Sequence, residues 1–305
     1  MAGLPAHSAA PLIGTRGSDL ALWQARAVQA AVGGELRIIT TQGDTSLAER
    51  LVGTLEKGFF TEELEAALRS GDIDCAVHSL KDLPTRVPED FALGAILERA
   101  TPGDILLTHF DHVCDGDFPL RGGTTVGASS LRRDALLKHF APGVSPQPLR
   151  GNVPTRVQKL RERKLDAIVL AAAGVERLQL DLSGLAVFGL NPTRWPPAPG
   201  QGAVAVECRA KDAPLRARLA AIDHATTVRA VSWERAFLRT LEGGCSTPFG
   251  CYVQDDQAWL GQLIGSAWHA HSVTLPASFS EDFIAATLAA LPKGKDHDDW
   301  LYRPL

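Results

Sequence analysis

Two short segments, far apart in the chain, carry residues that could do chemistry. Cys245 ends the run LEGGC at 241–245. Because glycines have no Cβ, the two before it let the backbone turn tightly and let another molecule approach a thiol that could be alkylated or act as a nucleophile. Upstream, the run VHSLKDLP at 77–84 places Lys81 beside Asp82. Such a carboxylate can accept a hydrogen bond from an N–H group and stabilise a developing cation, although an Asp in a turn beside a surface Lys has the same sequence.

A third feature is a local excess of positive charge. Residues 121–164 contain ten Lys or Arg and two acids, so this segment is +8 in a chain whose net charge is −4, and the remainder is −12. A basic field confined to one part of an acidic protein indicates an anionic ligand held at that place. General nucleic-acid binding is disfavoured, since it typically needs a basic domain interleaved with aromatics, which are 6% of this chain.

The basic residues recur where a predicted strand gives way to a predicted helix. In open α/β sheets ligands gather at the carboxyl ends of strands, and the N-terminus of a helix favours anions. We therefore expect Arg150 to end a strand, Gly151 to make the turn after it, and one cleft to collect these groups. The alternative is that the arginines are solvated or form ion pairs. The residues are Arg16 and Ser18 in GTRGS at 14–18, Ser129, Arg132 and Arg133 in ASSLRR at 128–133, and Arg150 and Arg156 in LRGNVPTR at 149–156.

Apolar periodicity predicts the elements that position these residues. Alternating strands and helices favour an α/β fold with largely parallel sheets, followed by antiparallel strands near the end. Ser18 is the expected N-cap of the first helix, and Gly33 with Gly34 its stop. Predicted strands are 12–15, 36–40, 74–78, 105–108, 125–128, 167–170, 203–208, 250–254 and 258–264. Predicted helices are 18–32, 59–68, 131–140, 154–163, 213–221, 226–241 and 281–291, and 41–56 is predicted to be a mobile loop.

Composition narrows the class of protein. A chain of 305 residues with 45% hydrophobic and 22% charged residues is typical of a globular protein of two or three domains. No apolar run is long enough to span a bilayer, and residues 1–11 do not resemble a secretory signal, so we expect a cytoplasmic protein with reduced thiols. Cys75 and Cys208 are expected in the core. No metal site is expected, because neither CxxC nor HxxxH spacing occurs.

These motifs, in this order, resemble the porphobilinogen deaminase (hydroxymethylbilane synthase) family. The resemblance covers nearly the whole chain to about residue 265. It departs from the family pattern at Gly53, where many relatives have a second lysine, at Ala128 in place of threonine, and at Pro154 in place of glycine. The runs that carry it are GTRGS at 14–18, KGFF at 57–60, VHSLKDLP at 77–84, SSLRR at 129–133, LRGNV at 149–153, PGQGAV at 199–204, ECR at 207–209 and LEGGC at 241–245.

The resemblance implies a transferase of tetrapyrrole and heme biosynthesis. It joins four porphobilinogen molecules head to tail, releases ammonia and forms the linear tetrapyrrole hydroxymethylbilane. Asp82 would be the catalytic residue, and a dipyrromethane cofactor would be attached to Cys245 through a thioether. Further cofactor-binding residues would be Lys81, Ser79, Ser129, Arg132, Arg133, Arg150, Gly151 and Arg156. Substrate-binding residues would be Arg16, Ser18, Arg177, Gln201 and Lys57.

The resemblance also implies an architecture of three domains. The first two, 1–102 with 200–222 and 103–199, would resemble the lobes of type II periplasmic-binding proteins. The third, 223–305, would be a small α/β domain with an antiparallel sheet that presents Cys245. The expected protein is a cytoplasmic monomer that binds porphobilinogen and oligopyrrole intermediates, and neither nucleic acid nor membrane.

Two other functions are compatible with parts of the sequence. A non-catalytic, two-lobed anion-binding or solute-binding protein could have the same architecture, because fold alone does not decide function. A hydrolase that uses Cys245 with His78 as its base would leave the arginines unexplained and lacks an evident oxyanion site.

Overall fold

The computed structural model of the protein describes residues 10–40, 61–241, 248–293 and 300–305. Lys57, Cys245 and the predicted loop at 41–56 lie outside the described residues. The chain divides into two units, one of Met1–Ala100 with Ala203–Val231 and the other of Thr101–Gly202 with Ser232–Leu305. The three-domain boundaries at 102/103, 199/200 and 222/223 stay a prediction.

Strands and helices alternate through the first two thirds of the described chain. The strands are β1 (Leu12–Thr15), β2 (Glu35–Ile38), β3 (Cys75–Ser79), β4 (Phe91–Ile96), β5 (Asp104–Thr108), β6 (Thr125–Gly127), β7 (Ser145–Gln147), β8 (Ala167–Ala171), β9 (Ala186–Leu190), β10 (Val204–Arg209), β11 (Phe249–Gln254), β12 (Gln257–Ile264), β13 (Ala267–Thr274) and β14 (Tyr302–Pro304). The α-helices are α1 (Asp19–Val32), α2 (Glu62–Ser70), α3 (Leu131–Phe140), α4 (Val153–Arg161), α5 (Ala172–Leu178), α6 (Ala213–Leu219), α7 (Ala225–Thr240) and α8 (Glu281–Ala290).

The first unit is built on a five-stranded sheet in the order β2-β1-β3-β10-β4. Strand β1 pairs in parallel with β2 and β3, whereas β10 lies antiparallel between β3 and β4. Helix α1 covers one face through Val28, which packs with Ile13 and Val206, and α2 covers the other through Leu64 and Leu68. The central strands β1, β3 and β10 are buried on both faces and have largely apolar sequences, whereas the edge strand β2 is mostly exposed.

Local sequence sets the start and the end of α1 as predicted. Ser18 is the N-cap, and its Oγ accepts a hydrogen bond from the Ala21 N–H at 3.4 Å. Gly33 ends the helix with φ 69°, a conformation that favours glycine. Gly14, one strand residue before Thr15, has a different function: a Cβ there would lie 2.3 Å from Ile73 Cδ1, so glycine allows the close packing of β1 on that side chain.

The second unit contains a six-stranded sheet in the order β14-β9-β5-β8-β6-β7. Strands β6, β7 and β8 are parallel, and β5 runs antiparallel to β8 and β9. Leu136 and Leu137 of α3 lie in a core on one face, together with Trp195 and Trp268. Val157 and Leu160 of α4 lie in a core on the other face.

The second unit also contains a three-stranded antiparallel sheet, β11-β12-β13. These observations confirm the predicted α/β class and the antiparallel sheet near the end of the chain. Two expectations differ in detail. The large sheets are mixed rather than largely parallel, because β5 and β10 oppose their neighbours, and Arg150 follows β7 by three residues, because that strand ends at Gln147.

Candidate active site

In the first unit, two predicted functional segments follow neighbouring parallel strands. Arg16 and Ser18 follow β1, and Lys81 and Asp82 follow β3. Because β1 and β3 are parallel, with Gly14 opposite Ala76, their carboxyl ends reach the same edge of the sheet. The fold therefore brings the GTRGS and VHSLKDLP runs to one edge.

The segment that carries Asp82 is held at its base by two contacts. Gln24 of α1, 2% exposed, donates from Nε2 to Ser79 Oγ at 2.8 Å. The Leu80 N–H donates to the Ala203 carbonyl at 3.0 Å, and Leu80 itself is completely buried. A single 3-10 turn then spans Leu80–Asp82, which leaves the Asp82 side chain exposed above a fixed backbone.

In the second unit, the basic segments follow three neighbouring parallel strands. Ser129 and α3 follow β6, Arg150 and α4 follow β7, and α5 with Arg177 follows β8. Since these strands are parallel, the carboxyl ends of all three lie at one edge of the sheet. Within this unit, the fold therefore brings the arginine-rich segments to one edge.

Hydrogen bonds of the Ser129 side chain and of the Ala128 backbone join the first two of these segments. Ser129 Oγ accepts from the Leu149 N–H at 2.9 Å and donates to the Leu149 carbonyl. The Ala128 N–H donates to the Gln147 carbonyl at 2.8 Å. Ser129 thus fixes the backbone just before the exposed Arg150.

The turn between Arg150 and α4 depends on Gly151. Its φ is 112°, and a Cβ there would lie 2.8 Å from Thr155 Cγ2. Asn152 caps α4 by accepting from Thr155 N at 3.0 Å and from Thr155 Oγ1 at 2.7 Å. Arg156 Nε donates to the Gly151 carbonyl at 2.7 Å, so this guanidinium is held against the same turn.

Arg132 and Arg133 share a buried carboxylate that sequence reasoning missed. Asp104, at the start of β5, is 1% exposed, and the two arginines are 4% and 6% exposed. Arg132 Nη2 lies 2.9 Å from Asp104 Oδ2, and Arg133 Nη2 lies 2.7 Å from Oδ1. Arg132 and Arg133 therefore do form ion pairs, as the alternative interpretation of the basic runs expected, but one carboxylate faces two guanidinium groups. The only sign of Asp104 in the sequence is that an acidic residue directly precedes the apolar run ILL at 105–107.

Asp104 stays ionised in this environment. Burial alone would raise its pKa, but the positive charges of Arg132 and Arg133 and their hydrogen bonds outweigh burial and hold the pKa well below its usual range. Burial also lowers the pKa of the Arg132 guanidinium, an effect that Asp104 opposes and the like charge of Arg133 reinforces.

Gln201 and Arg177 contact protein groups of the same unit. Gln201 is 1% exposed, and its Nε2 donates to the Pro102 carbonyl and to Asp104 Oδ1, each at 2.8 Å. Arg177 Nη2 donates to the Gly202 carbonyl at 2.7 Å, and burial lowers the pKa of Arg177. Gln201 is therefore one of the residues that hydrogen-bond to Asp104.

The chain on either side of the Cys245 segment is anchored within the second unit. Glu234 of α7, fully buried, accepts from the Gly200 N–H at 2.7 Å and from the Val253 N–H at 2.9 Å. Strand β11 approaches Pro196 so closely that a Cβ on Gly250 would lie 2.3 Å from the Pro196 carbonyl oxygen. The described residues before and after 242–247 are therefore fixed relative to one another.

The described residues carry neither a metal-ligand cluster nor a membrane-spanning helix. Within 10–40, 61–241, 248–293 and 300–305, no group of three or more His, Cys, Asp or Glu residues could hold a metal ion. Across those same ranges, no helix has the length and apolar character needed to cross a membrane.

Comparison with protein families accounts for most of the chain. A model described as "Porphobilinogen deaminase, dipyromethane cofactor binding domain" matches residues 12–217, and one described as "Porphobilinogen deaminase, C-terminal domain" matches residues 228–270. The chain belongs to the porphobilinogen deaminase family. The first match covers the segments that carry Asp82 and the arginines.

Curated relatives agree with this membership. The porphobilinogen deaminase of Shouchella clausii is 44% identical over 265 residues, covering 84% of each chain. That of Chromobacterium violaceum is 40% identical over 295 residues, covering 92% of this chain and 93% of the relative. That of Xanthomonas oryzae is 42% identical over 279 residues, covering 88% of this chain and 90% of the relative.

Solved structures with some similarity are more distant. The periplasmic VFT2 domain of Bordetella pertussis BvgS is 16% identical with a TM-score of 0.37, covering 73% of this chain and 93% of that one. A substrate-binding protein of an amino acid ABC transporter is 14% identical with a TM-score of 0.35, covering 77% of this chain and 95% of that one. TM-scores this low carry no argument, so the fold rests on the sheets described above.

Proposed function

We propose that this protein condenses four porphobilinogen molecules head to tail, with release of ammonia, to form hydroxymethylbilane. The observation that carries the proposal is the match of two porphobilinogen deaminase models to residues 12–217 and 228–270. The two sheet edges support it, because one carries an exposed carboxylate and the other a set of arginines. A binding protein without catalysis gains no support from structural relatives with TM-scores of 0.35–0.37.

Asp82 is the catalytic residue in this proposal. Its carboxylate would accept a hydrogen bond from a pyrrole N–H and stabilise the cation left on porphobilinogen when ammonia departs. The contacts of Ser79 with Gln24 and of Leu80 with Ala203 hold the backbone beneath it, so the carboxylate needs little reorganisation during reaction. Arg16 and Ser18 would bind substrate carboxylates near the same edge, and Lys81 would bind the cofactor there. Lys57 would contribute to substrate binding from the segment at 41–60.

The residues of the second unit fit the acidic side chains of a dipyrromethane cofactor. Each arginine has five N–H donors, and the hydrogen bonds to Asp104, Pro196 and Val169 use only some of them. Within the described chain, Arg132 Nε is buried and has no hydrogen-bond partner. A buried donor of this kind is stabilised by an acceptor, which a ligand carboxylate provides.

The cofactor, joined to Cys245 through a thioether in this proposal, supplies the pyrrole carbon to which the first substrate adds. The protein's own residues bind and orient. Ser129 and Gly151 shape the backbone, and the basic side chains hold carboxylates as the chain lengthens, namely Arg132, Arg133, Arg150, Arg156 and Arg177. Gln201 supports this group through Asp104, to which it donates a hydrogen bond.

The remaining features of the proposal concern the whole molecule. We propose a cytoplasmic monomer of three domains, 1–102 with 200–222, 103–199 and 223–305, that binds porphobilinogen and oligopyrrole intermediates and neither nucleic acid nor membrane. The family resemblance supports this description. Light scattering during size-exclusion chromatography tests the monomer, and a mass of twice 32.6 kDa would contradict it.

The decisive variant is Asp82→Asn, which keeps the size of the side chain and removes its charge. We expect ammonia release from porphobilinogen to fall at least about a hundredfold, the scale of losing one preorganised electrostatic contact to a developing charge. The thermal unfolding temperature should stay unchanged, because Asp82 is exposed. Asp72→Asn, an exposed acid after α2, is the matched control and should keep full turnover. Normal ammonia release by Asp82→Asn would refute the assignment.

A further inference from the structure

We propose that Asp104 is a positioning residue: it orients Arg132 and Arg133 so that they present unused donors and a surplus positive charge to the cofactor carboxylates. This inference rests on the function proposed above and extends it to a residue outside the basic runs. Asp104 itself would touch neither substrate nor cofactor. Its effect would pass through the two guanidinium groups.

The contacts of Asp104 define the direction of both arginines. Its Oδ2 accepts from Arg132 Nη2 at 2.9 Å and from Arg133 Nε at 3.1 Å, and its Oδ1 accepts from Arg133 Nη2 at 2.7 Å. Trp195 Nε1 donates to Oδ2 at 3.0 Å, and Gln201 Nε2 donates to Oδ1 at 2.8 Å. A carboxylate has about four acceptor sites, so five donors fill it completely. The carboxylate cannot rotate without losing several of these bonds.

Two backbone carbonyls complete the orientation of the arginines. Arg132 Nη1 donates to the Pro196 carbonyl at 2.9 Å, and Arg133 Nη1 donates to the Val169 carbonyl at 3.1 Å. Each planar guanidinium is thus fixed at both of its terminal nitrogens. The fork of an arginine is specific only when its plane is set, so these contacts determine which N–H groups remain for a ligand.

The positive charges of Arg132 and Arg133 outnumber the single negative charge of Asp104. Two buried guanidinium groups face one buried carboxylate, which leaves one positive charge uncompensated among these three side chains. A cluster that served only to hold the fold would be more stable with equal charges, because a buried charge without a partner is strongly unfavourable. A ligand carboxylate would restore the balance, and the partnerless Arg132 Nε offers it a donor.

The test uses apoprotein produced in a host that cannot make porphobilinogen. Added porphobilinogen is titrated, and intact mass reports the fraction that gains two deaminated units. For Asp104→Asn we expect the half-maximal porphobilinogen concentration to rise at least tenfold. Asp166→Asn is the matched control, since Asp166 pairs with His112 and Thr125 of the same unit without contacting either arginine, and its titration should match the parent.

A double-mutant cycle separates positioning from structural support. If Asp104 acts through Arg132, the combined Asp104→Asn and Arg132→Met variant should lose much less than the product of the two single losses. Independent, multiplicative losses would overturn the inference. So would an Asp104→Asn apoprotein that takes up the cofactor at the same concentrations as the parent. A parent that gains no units would instead refute the proposed function.

A milder variant covers the case in which Asp104→Asn does not fold. Trp195→Phe removes one donor to Asp104 and leaves the carboxylate and both arginines in place. We expect its half-maximal porphobilinogen concentration to be at least twice that of the control variant Trp233→Phe, which changes a buried tryptophan of α7. Equal values for the two variants would overturn the inference.

Discussion

Replacing Gly151 with alanine is expected to damage both the stability of the second unit and the binding of porphobilinogen. At φ 112° an L-residue is strained, and such backbone conformations cost about 1–3 kcal/mol. The new Cβ would also lie 2.8 Å from Thr155 Cγ2, a distance that forces the side chain or the turn to move. Thr155 makes both hydrogen bonds to the Asn152 cap, so the start of α4 should shift with it.

The two costs can be separated with two matched glycines of the same unit. Gly184 has φ 77°, and no atom lies within 4 Å of the position that a Cβ would take, so Gly184→Ala carries the backbone strain alone. Gly122 has neither a positive φ nor a close neighbour, so Gly122→Ala should change stability by less than about 1 kcal/mol. The expected order of stability is Gly122→Ala, then Gly184→Ala, then Gly151→Ala.

The assays are thermal unfolding and the KM for porphobilinogen. A cost of about 3 kcal/mol lowers the unfolding temperature by roughly 6–12 °C for a unit of this size. Only Gly151→Ala should raise the KM, because only this turn sets the positions of Arg150 and Arg156. The reasoning fails if Gly151→Ala is as stable as Gly122→Ala, or if Gly184→Ala raises the KM equally.

Three further outcomes are expected. Burial raises the pKa of Cys75 to about 12 and of Cys208 to about 11, so neither thiol should react with iodoacetamide at pH 8 in the folded protein, as peptide mapping can check. The contribution of these thiols to stability should be complete below pH 9, decline above it, and be lost as pH rises through about 11 and about 12. Against the opposing effect of burial, Arg132 and Arg133 depress the pKa of Asp104, so the contribution of this carboxylate to stability is complete above the unfolded pKa of about 3.9 and declines below it. In urea unfolding, the difference in free energy of unfolding between the parent and Asp104→Asn should therefore narrow below about pH 4. Ser18→Ala removes the cap of α1 and should cost about 1 kcal/mol in urea unfolding, and no change would contradict that cap.

Local features of the fold could be predicted from sequence. The bounds of α1 follow from Ser18 and Gly33, whose effects act within one helical turn. Strand directions could not be predicted, because an apolar run such as that of β5 or β10 has the same pattern in either direction. Strands β4, β9, β13 and β14 and helix α5 were not predicted. β14 and α5 contain three and seven residues, too few for a period to show, whereas β13 has eight residues and follows a turn at Gly265 that the sequence does signal.

The candidate site was predictable where it depends on contiguous motifs. Asp82 and the basic runs stood out through their spacing, and the structure places them at strand ends. Asp104 did not stand out, because its partners Arg132, Arg133 and Trp195 are 28, 29 and 91 residues away in the chain. Such a network exists only in the folded unit. The assigned functions of Cys245 and Lys57 stay predictions, since both lie outside the described residues.

The intact mass of the purified protein tests the central claim most directly. Protein from cells that make porphobilinogen should be heavier than the 305-residue sequence by two deaminated porphobilinogen units, and proteolysis should place the added mass on the peptide that contains Cys245. Cys245→Ser should lack the addition and release no ammonia from porphobilinogen. A parent protein with the mass of the bare sequence would contradict the proposed function.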